Sequence, residues 1–210
     1  MALREFIKNK YILVSKLIKP NSSVLDIGCN KAEIQEFLPN VSYYGIDINK
    51  SVVEELKKKG LKVYCADLNK NRLSLKKKFD YVLLLDILEH VVSPIILIGK
   101  SKKMVSNEGY IIISLPNDYH FFNKLRFLFN KEITPAFIQY GHLHIFPIKS
   151  GKKLLEDNGL VILKTIDLPP TTPKFIPKFI MKLLVKISRN NFSRNVIYLT
   201  KLKQCMLTVK

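Results

Sequence analysis

Val24-Leu25-Asp26-Ile27-Gly28-Cys29-Asn30 is a short apolar run that closes on a carboxylate, a glycine and a turn-tolerant asparagine. Such a run suits a buried strand, and Gly28 suits the sharp turn that must follow it. Residues 31–37 come next with a helical pattern, so the unit reads strand, loop, helix. The same grammar recurs downstream. Strands are expected at residues 43–48, 62–66, 81–85 and 110–115, with helices at 51–59 and 94–105 between two of the pairs. Strands alternating with helices imply right-handed crossovers and a sheet covered on both faces, which defines a Rossmann-like, doubly wound α/β fold.

Upstream of this core, residues 3–19 read as an amphipathic helix, with Phe6, Leu13, Leu17 and Ile18 apolar among lysines and Pro20 with Asn21 as the stop. Downstream, the alternation loosens over residues 116–146, rich in aromatics and histidines, where a substrate-side insertion over the site is expected. A helix at 149–158 and a strand at 161–166 follow. Pro169, Pro170, Pro173 and Pro177 then break the chain, a basic amphipathic segment occupies residues 168–192, and 195–202 ends the pattern as a strand. With 210 residues the chain can bury one good core and is short for two enzyme domains, so a single domain over 1–210 is expected.

Composition narrows the class. At 47% hydrophobic and 25% charged residues the chain is globular rather than disordered or fibrous. Lys plus Arg number 35 against 17 acids, a formal charge of +18, which attracts phosphate-bearing partners such as nucleic acid or anionic lipid unless it is only a solvated surface. The positive field is concentrated late: no acid follows Asp167, while Lys174, Lys178, Lys182, Lys186, Arg189 and Arg194 do. No apolar stretch is long enough for a membrane span, and the run at 11–14 is too short for a signal peptide, so a cytoplasmic protein is expected. Cys29, Cys65 and Cys205 lack disulfide or zinc-finger spacing, and Cys29 and Cys65 read as small core residues.

In a doubly wound sheet the ligand sits outside the carboxyl ends of the strands, and here those ends are acidic. After the first run come Gly45-Ile46-Asp47-Ile48, Cys65-Ala66-Asp67-Leu68 and Leu84-Leu85-Asp86. Gly28 lets backbone approach a ligand where a Cβ would intrude, and Asp47, a strand away, can accept hydrogen bonds from both hydroxyls of a ribose. Asp67 can accept from an adenine amine, with Ile48 and Leu68 as apolar faces for the base. The ligand expected is an adenosine derivative, with Asp26, Asn30 and Leu85 completing its surroundings.

Taken together, VLDIGCN, GIDIN, ADLN and FDYVLLLDILEHV resemble, in order and spacing, the motifs of class I S-adenosylmethionine-dependent methyltransferases, in particular the small-molecule, ubiquinone-type group. The resemblance covers residues 20–166. It implies a seven-stranded sheet, mostly parallel, whose last strand at 195–202 inserts antiparallel. It also implies that Asp47 binds the ribose, Asp67 the adenine and the Gly28 loop the methionine part of S-adenosylmethionine. One departure stands out: the family loop carries glycine at three alternate positions, and here Asn30 and Ala32 replace two of them. Asparagine tolerates a left-handed backbone, so Asn30 can keep the turn. The loss weighs more against a dinucleotide-binding dehydrogenase, whose pyrophosphate needs close backbone.

Asp86, Glu89 and His90 form a D-x-x-E-H pattern at i, i+3 and i+4, and His142 and His144 lie in the insertion. This resembles the E-x-x-E-H pattern with a downstream histidine of some ubiquinone-type O-methyltransferases and small-RNA ribose methyltransferases, which implies a divalent metal on Asp86, Glu89 and His90 with His142 or His144. A metal is possible but not favoured, since the same Glu and His also orient the loop beneath the donor in metal-free members. His142 or His144 is the candidate general base for an O- or N-methylation. The expected acceptor is a small molecule, a glycan or a lipid-linked precursor, with Tyr119, Phe121, Phe122, Phe127, Phe129, Phe137 and Tyr140 building its pocket. An RNA methyltransferase is the alternative, resting on charge and on the lysine runs at 57–59 and 76–78, and a non-catalytic donor-binding member of the fold is a third. The basic segment, with lysines one helical turn apart, is expected to contact an anionic membrane peripherally or to pack as an ordinary surface helix.

Overall fold

The structure is a computed structural model that describes residues 2–70, 75, 77–129, 141–170 and 178–203. Helix α1 spans Ala2–Ser15 and leads to β1, Ser23–Ile27. A 3-10 turn at Glu33–Phe37 precedes β2, Ser42–Asp47. Helix α2, Lys50–Lys58, begins where Asn49 accepts hydrogen bonds from the Ser51 and Val52 amides, a side-chain cap that fixes its start. Strands β3, Lys62–Cys65, and β4, Phe79–Leu85, follow. Helix α3, Pro94–Met104, starts on a Ser93 cap with proline in its first turn. Then come β5 at Val105–Pro116, α4 at Phe121–Leu128, α5 at Ile148–Asp157 and β6 at Leu160–Leu168. The described chain ends with α6 at Lys178–Ile187, α7 at Arg189–Phe192 and β7 at Asn195–Leu202.

The strands form one seven-stranded sheet in the order β3-β2-β1-β4-β5-β7-β6. Neighbours from β3 to β5 are parallel, and β7 lies antiparallel between β5 and β6, as the resemblance implies. Alternation along each strand sends side chains to two cores. Leu25, Ile27, Val82 and Leu84 pack with Leu97 and Ile98 of α3 and Leu155 of α5. Val24, Tyr43, Tyr81 and Leu83 pack on the other face with Phe6 and Val14 of α1 and Val53 and Leu56 of α2. The strand reversal between β1 and β4 leaves a crevice at the carboxyl edge.

Two elements differ from expectation. The helix expected at 31–37 is only a 3-10 turn, because Asn30 and Ala32 take left-handed backbone, φ +44° and +55°, and extend the loop into the segment. Strand β5 begins at Val105 rather than residue 110, since polar Ser106-Asn107-Glu108 fall in the irregularity between the Phe79–Val105 and Tyr81–Tyr110 pairs and hide the strand's start. Cys65 is exposed rather than buried. Residues 130–140 of the insertion, with Phe137 and Tyr140, and 171–177 of the basic segment, with Lys174, lie outside the described residues, as do Lys76 and Cys205.

Candidate active site

The loop after β1 holds left-handed backbone at Gly28, Asn30 and Ala32, the alternate positions where the family carries glycine. The Gly28 and Cys29 amides donate to the Ile46 carbonyl at 2.8 and 3.0 Å, pinning the loop to the end of β2. A Cβ on Gly28 would stand 2.7 Å from Ile87 Cδ1, so a side chain there would push the Ile87 side chain aside, on top of the strain of its left-handed backbone. Asp47 Oδ2 accepts from the Asn30 amide at 2.7 Å and Oδ1 from the Asn49 amide at 2.9 Å. That bracing holds a half-buried carboxylate at the crevice rim, and each oxygen keeps a lone pair for a ligand. Asp67 is fixed by the Asn69 amide at 3.0 Å. Ile48 is 61% exposed and free to face a planar base, whereas Leu68 is buried in the core and Leu85 is half-buried.

Asp26 sits inside β1 rather than past its end. It is buried against Tyr43, whose hydroxyl donates to Oδ2 at 2.8 Å. Burial lifts its carboxyl to about 6, against the pull of the Tyr43 hydrogen bond. Asp86 has left-handed backbone, φ +49°, and its carboxylate is ion-paired with Lys10 of α1. Ser114 Oγ and Asn195 Nδ2 donate to its other oxygen at 2.5 and 2.8 Å. Burial alone would raise this carboxyl, but the ammonium and the hydrogen bonds outweigh it and hold it below its ordinary value. The ends of β4, β5 and β7 and helix α1 are thereby tied at one point.

Next to that point lies a cavity of about 570 Å³, whose lining includes Lys10, Glu89, Asp118, His120, His142 and Asn195. Asp86 lines it too, and its neighbour Ile87 backs Gly28, so consecutive residues join the donor loop to the cavity. Among the described residues, three buried side-chain atoms lack a hydrogen-bond partner: Glu89 Oε2, His120 Nδ1 and Asn195 Oδ1. All three residues line this one cavity. Burial, reinforced by the Asp86 charge, raises the Glu89 carboxyl well above its ordinary value. Burial likewise lowers His90 and takes His120 down to about 4.

Segment 141–144 is stitched beneath the cavity: the Leu143 and His144 amides donate to the Glu89 carbonyl at 2.7 and 3.3 Å, and His90 Nδ1 lies 3.3 Å from the Gly141 carbonyl. His142 Nδ1 stands 3.4 Å from Asp118 Oδ2, and its ring meets His90 edge-on at 4.9 Å. Of the residues considered for a metal, Glu89, His90 and His142 offer ligand atoms within 4.8 Å of one another. The other two do not join them. Asp86 is committed to Lys10, and His144 Nε2 to the Val91 and Val92 carbonyls at 3.0 and 3.3 Å, its ring stacked on Phe146. Lys10, Ser114, Asp118, His120 and Asn195 were not marked by any sequence motif.

The sequence profile of the family described as "Methyltransferase domain" matches residues 2–165, and the chain belongs to that family. A "Ubiquinone biosynthesis O-methyltransferase" from Pelagibacter ubique (strain HTCC1062) is 33% identical over 103 residues, 46% of this chain; the match spans 43% of that relative's length. Two solved structures share the fold. A SAM-dependent methyltransferase from Archaeoglobus fulgidus superposes with a TM-score of 0.65 at 21% identity, covering 94% of both chains. The N-methyltransferase NodS from Bradyrhizobium japonicum WM9, in complex with S-adenosyl-L-homocysteine, gives 0.64 at 12% identity over 95% of this chain and 88% of that one. The chain is thus a methyltransferase-domain protein with the fold of class I S-adenosylmethionine-dependent methyltransferases.

Proposed function

We propose that the protein methylates an oxygen or nitrogen of a small-molecule, glycan or lipid-linked acceptor seated in the cavity beside Glu89 and His142. The observation that carries this reading is the convergence of three unpartnered buried polar atoms on one cavity, since such atoms are costly unless a ligand meets them. The ubiquinone-type relative supports an oxygen nucleophile on a small molecule. Bound S-adenosylmethionine supplies an electrophilic methyl group on a sulfonium. The chain's own residues do the rest. Gly28 and Asn30 give the donor loop its close approach, Asp47 takes the ribose hydroxyls, Asp67 the adenine amine, and Ile48 covers the base. His142 would take the proton from the acceptor oxygen or nitrogen, and Asp118, 3.4 Å from its Nδ1, would orient the ring and stabilise the imidazolium.

Calorimetry and label transfer from methyl-labelled donor test the two halves. His142→Ala should lower turnover by roughly 10²–10⁴-fold at unchanged S-adenosylhomocysteine affinity. Asp47→Ala should weaken that affinity several-fold. Unchanged turnover in the first variant, or unchanged affinity in the second, contradicts the assigned role. The trio Glu89, His90 and His142 with an orphaned Glu89 Oε2 supports a second reading, a divalent metal that polarises the acceptor. Metal analysis of protein purified without chelator separates the two.

We also infer that the acceptor is reached at an anionic membrane surface. Phe179, Leu183 and Ile187 recur at i, i+4 and i+8 of α6 with 69%, 54% and 71% of their surface exposed, and exposed Lys186 lies beside them. Helix α4 carries Phe127 and Leu128 equally exposed and is joined to α7 by Lys124 on Asn191 at 2.7 Å and Phe121 on Phe192 at 5.6 Å. Phe122 and Arg126 of the same α4 line the cavity, so the α4 part of this apolar, basic surface borders it.

A further inference from the structure

Not every charge around the cavity is compensated. Three acids line it, Asp86, Glu89 and Asp118. Asp86 is paired with Lys10, Asp118 faces His142, and Glu89 is held towards its neutral form by burial. Of the lining cations Arg126 and Arg194, neither has an acidic partner among the described residues.

The two differ in how they are held. Arg126 is exposed on α4. Arg194 is half-buried, and its backbone is locked from both sides: its amide donates to the Leu168 carbonyl at 2.8 Å and its carbonyl accepts from the Asn117 amide at 2.8 Å. Its guanidinium carbon lies 5.0 Å from the centroid of the Phe6 ring, a cation–π contact with another residue that lines the cavity. A guanidinium rooted in a locked backbone and held against an aromatic ring presents its donors as a fork suited to two oxygens of one anion. Beside it stands His120, whose Nδ1 is buried without a partner and whose ring feels the Arg194 charge. A partly desolvated cation next to an unsatisfied nitrogen is unfavourable in the empty protein and favourable once an oxyanion bridges them.

We propose that Arg194, with His120, binds an oxyanion carried by the methyl acceptor, so that the enzyme selects acceptors bearing a carboxylate or a phosphate. The proposal rests on the acceptor reading of the cavity given above.

The probes are benzoate and phenyl phosphate, with benzamide as the neutral control. Each is titrated into isotope-labelled protein saturated with S-adenosylhomocysteine while the His120 imidazole signal is followed; the chain has only four histidines, so the spectrum is simple. Saturable shifts with the anions and none with benzamide are expected, and the tighter of the two anions names the group. Arg194→Gln should weaken anion binding by at least about tenfold, and Arg194→Lys should restore part of it. Equal effects of benzoate and benzamide, no saturable shift with either anion, or undiminished binding in Arg194→Gln overturns the proposal. A loss of S-adenosylhomocysteine affinity in Arg194→Gln overturns it too, by placing the donor's own carboxylate on the guanidinium. Should the wild type fail to bind S-adenosylhomocysteine, the donor reading fails, and the same titration without it still reports on Arg194.

Discussion

Asp26 is a carboxylate that the fold holds against its own preference. Buried in β1 with one hydroxyl as partner, its pKa rises from the ordinary 3.8 to about 6. The native state therefore binds this proton more tightly than the unfolded chain does between those values, and stability falls as pH rises through the window. Above about pH 6 the ionised form costs about 3 kcal/mol. Asp26→Asn keeps an oxygen for the Tyr43 hydroxyl and loses the charge. Its denaturation midpoint should exceed that of the wild type at pH 7.5 and approach it near pH 4, and a constant difference across that range would show that Asp26 does not titrate in this window. The neighbouring loop shows how far single residues are legible. Asn30 could be read as a left-handed position, because asparagine tolerates one, whereas Ala32 offered no such sign and adopts the same backbone.

At the level of elements, α1 is where the sequence misled. Phe6, Leu13, Leu17 and Ile18 mark the expected apolar residues, but the helix ends at Ser15 and its buried stripe is Phe6, Lys10 and Val14, four residues apart, with a lysine in the middle and Ile18 buried just past its end. A lysine on the buried face of an amphipathic helix is itself a signal, since it must find an acid, and the acid is Asp86 at the end of β4. Removing it should show. Lys10→Ala leaves Asp86 hydrogen-bonded but uncompensated, and because that carboxylate remains 30% exposed the loss should fall near the lower end for buried pairs, about 3 kcal/mol. Urea unfolding measures it, and a midpoint within error of the wild type would mean that the pair is solvated. The alternation of strands and helices was readable because four strand-end motifs recur with the βα units, and the antiparallel β7 followed from the family resemblance those motifs carry, whereas the strand order came from the structure. Cavity residues such as Asp118, His120 and Arg194 were not readable, because they come from loops whose meeting depends on the packing of β5 and β7 rather than on any local pattern.

Over the whole molecule, charge and apolar exposure fall together. No helix among the described residues is long and apolar enough to cross a membrane, yet α4 and α6 expose phenylalanine and leucine on a chain of formal charge +18 with no acid after Asp167. Exposed aromatics alone could serve any partner, and lysines alone any anion; the combination suits insertion of side chains among acyl chains while cations sit at the headgroups. Each lysine near an anionic surface contributes about 1 kcal/mol, and each buried apolar side chain adds a comparable amount. Binding should then need both terms. Co-sedimentation should recover the protein with vesicles containing phosphatidylglycerol and much less with phosphatidylcholine alone. Phe179→Ser with Leu183→Ser should release it from the anionic vesicles even at low salt, whereas Lys186→Gln should weaken binding modestly and make it less salt-sensitive. S-adenosylhomocysteine affinity, measured on the same preparations, should stay constant, since α6 contributes nothing to the donor loop. Equal recovery with neutral and anionic vesicles, or release by salt alone with the Phe179 and Leu183 substitutions silent, would reduce the face to non-specific charge attraction and remove the membrane from the account of how the acceptor arrives.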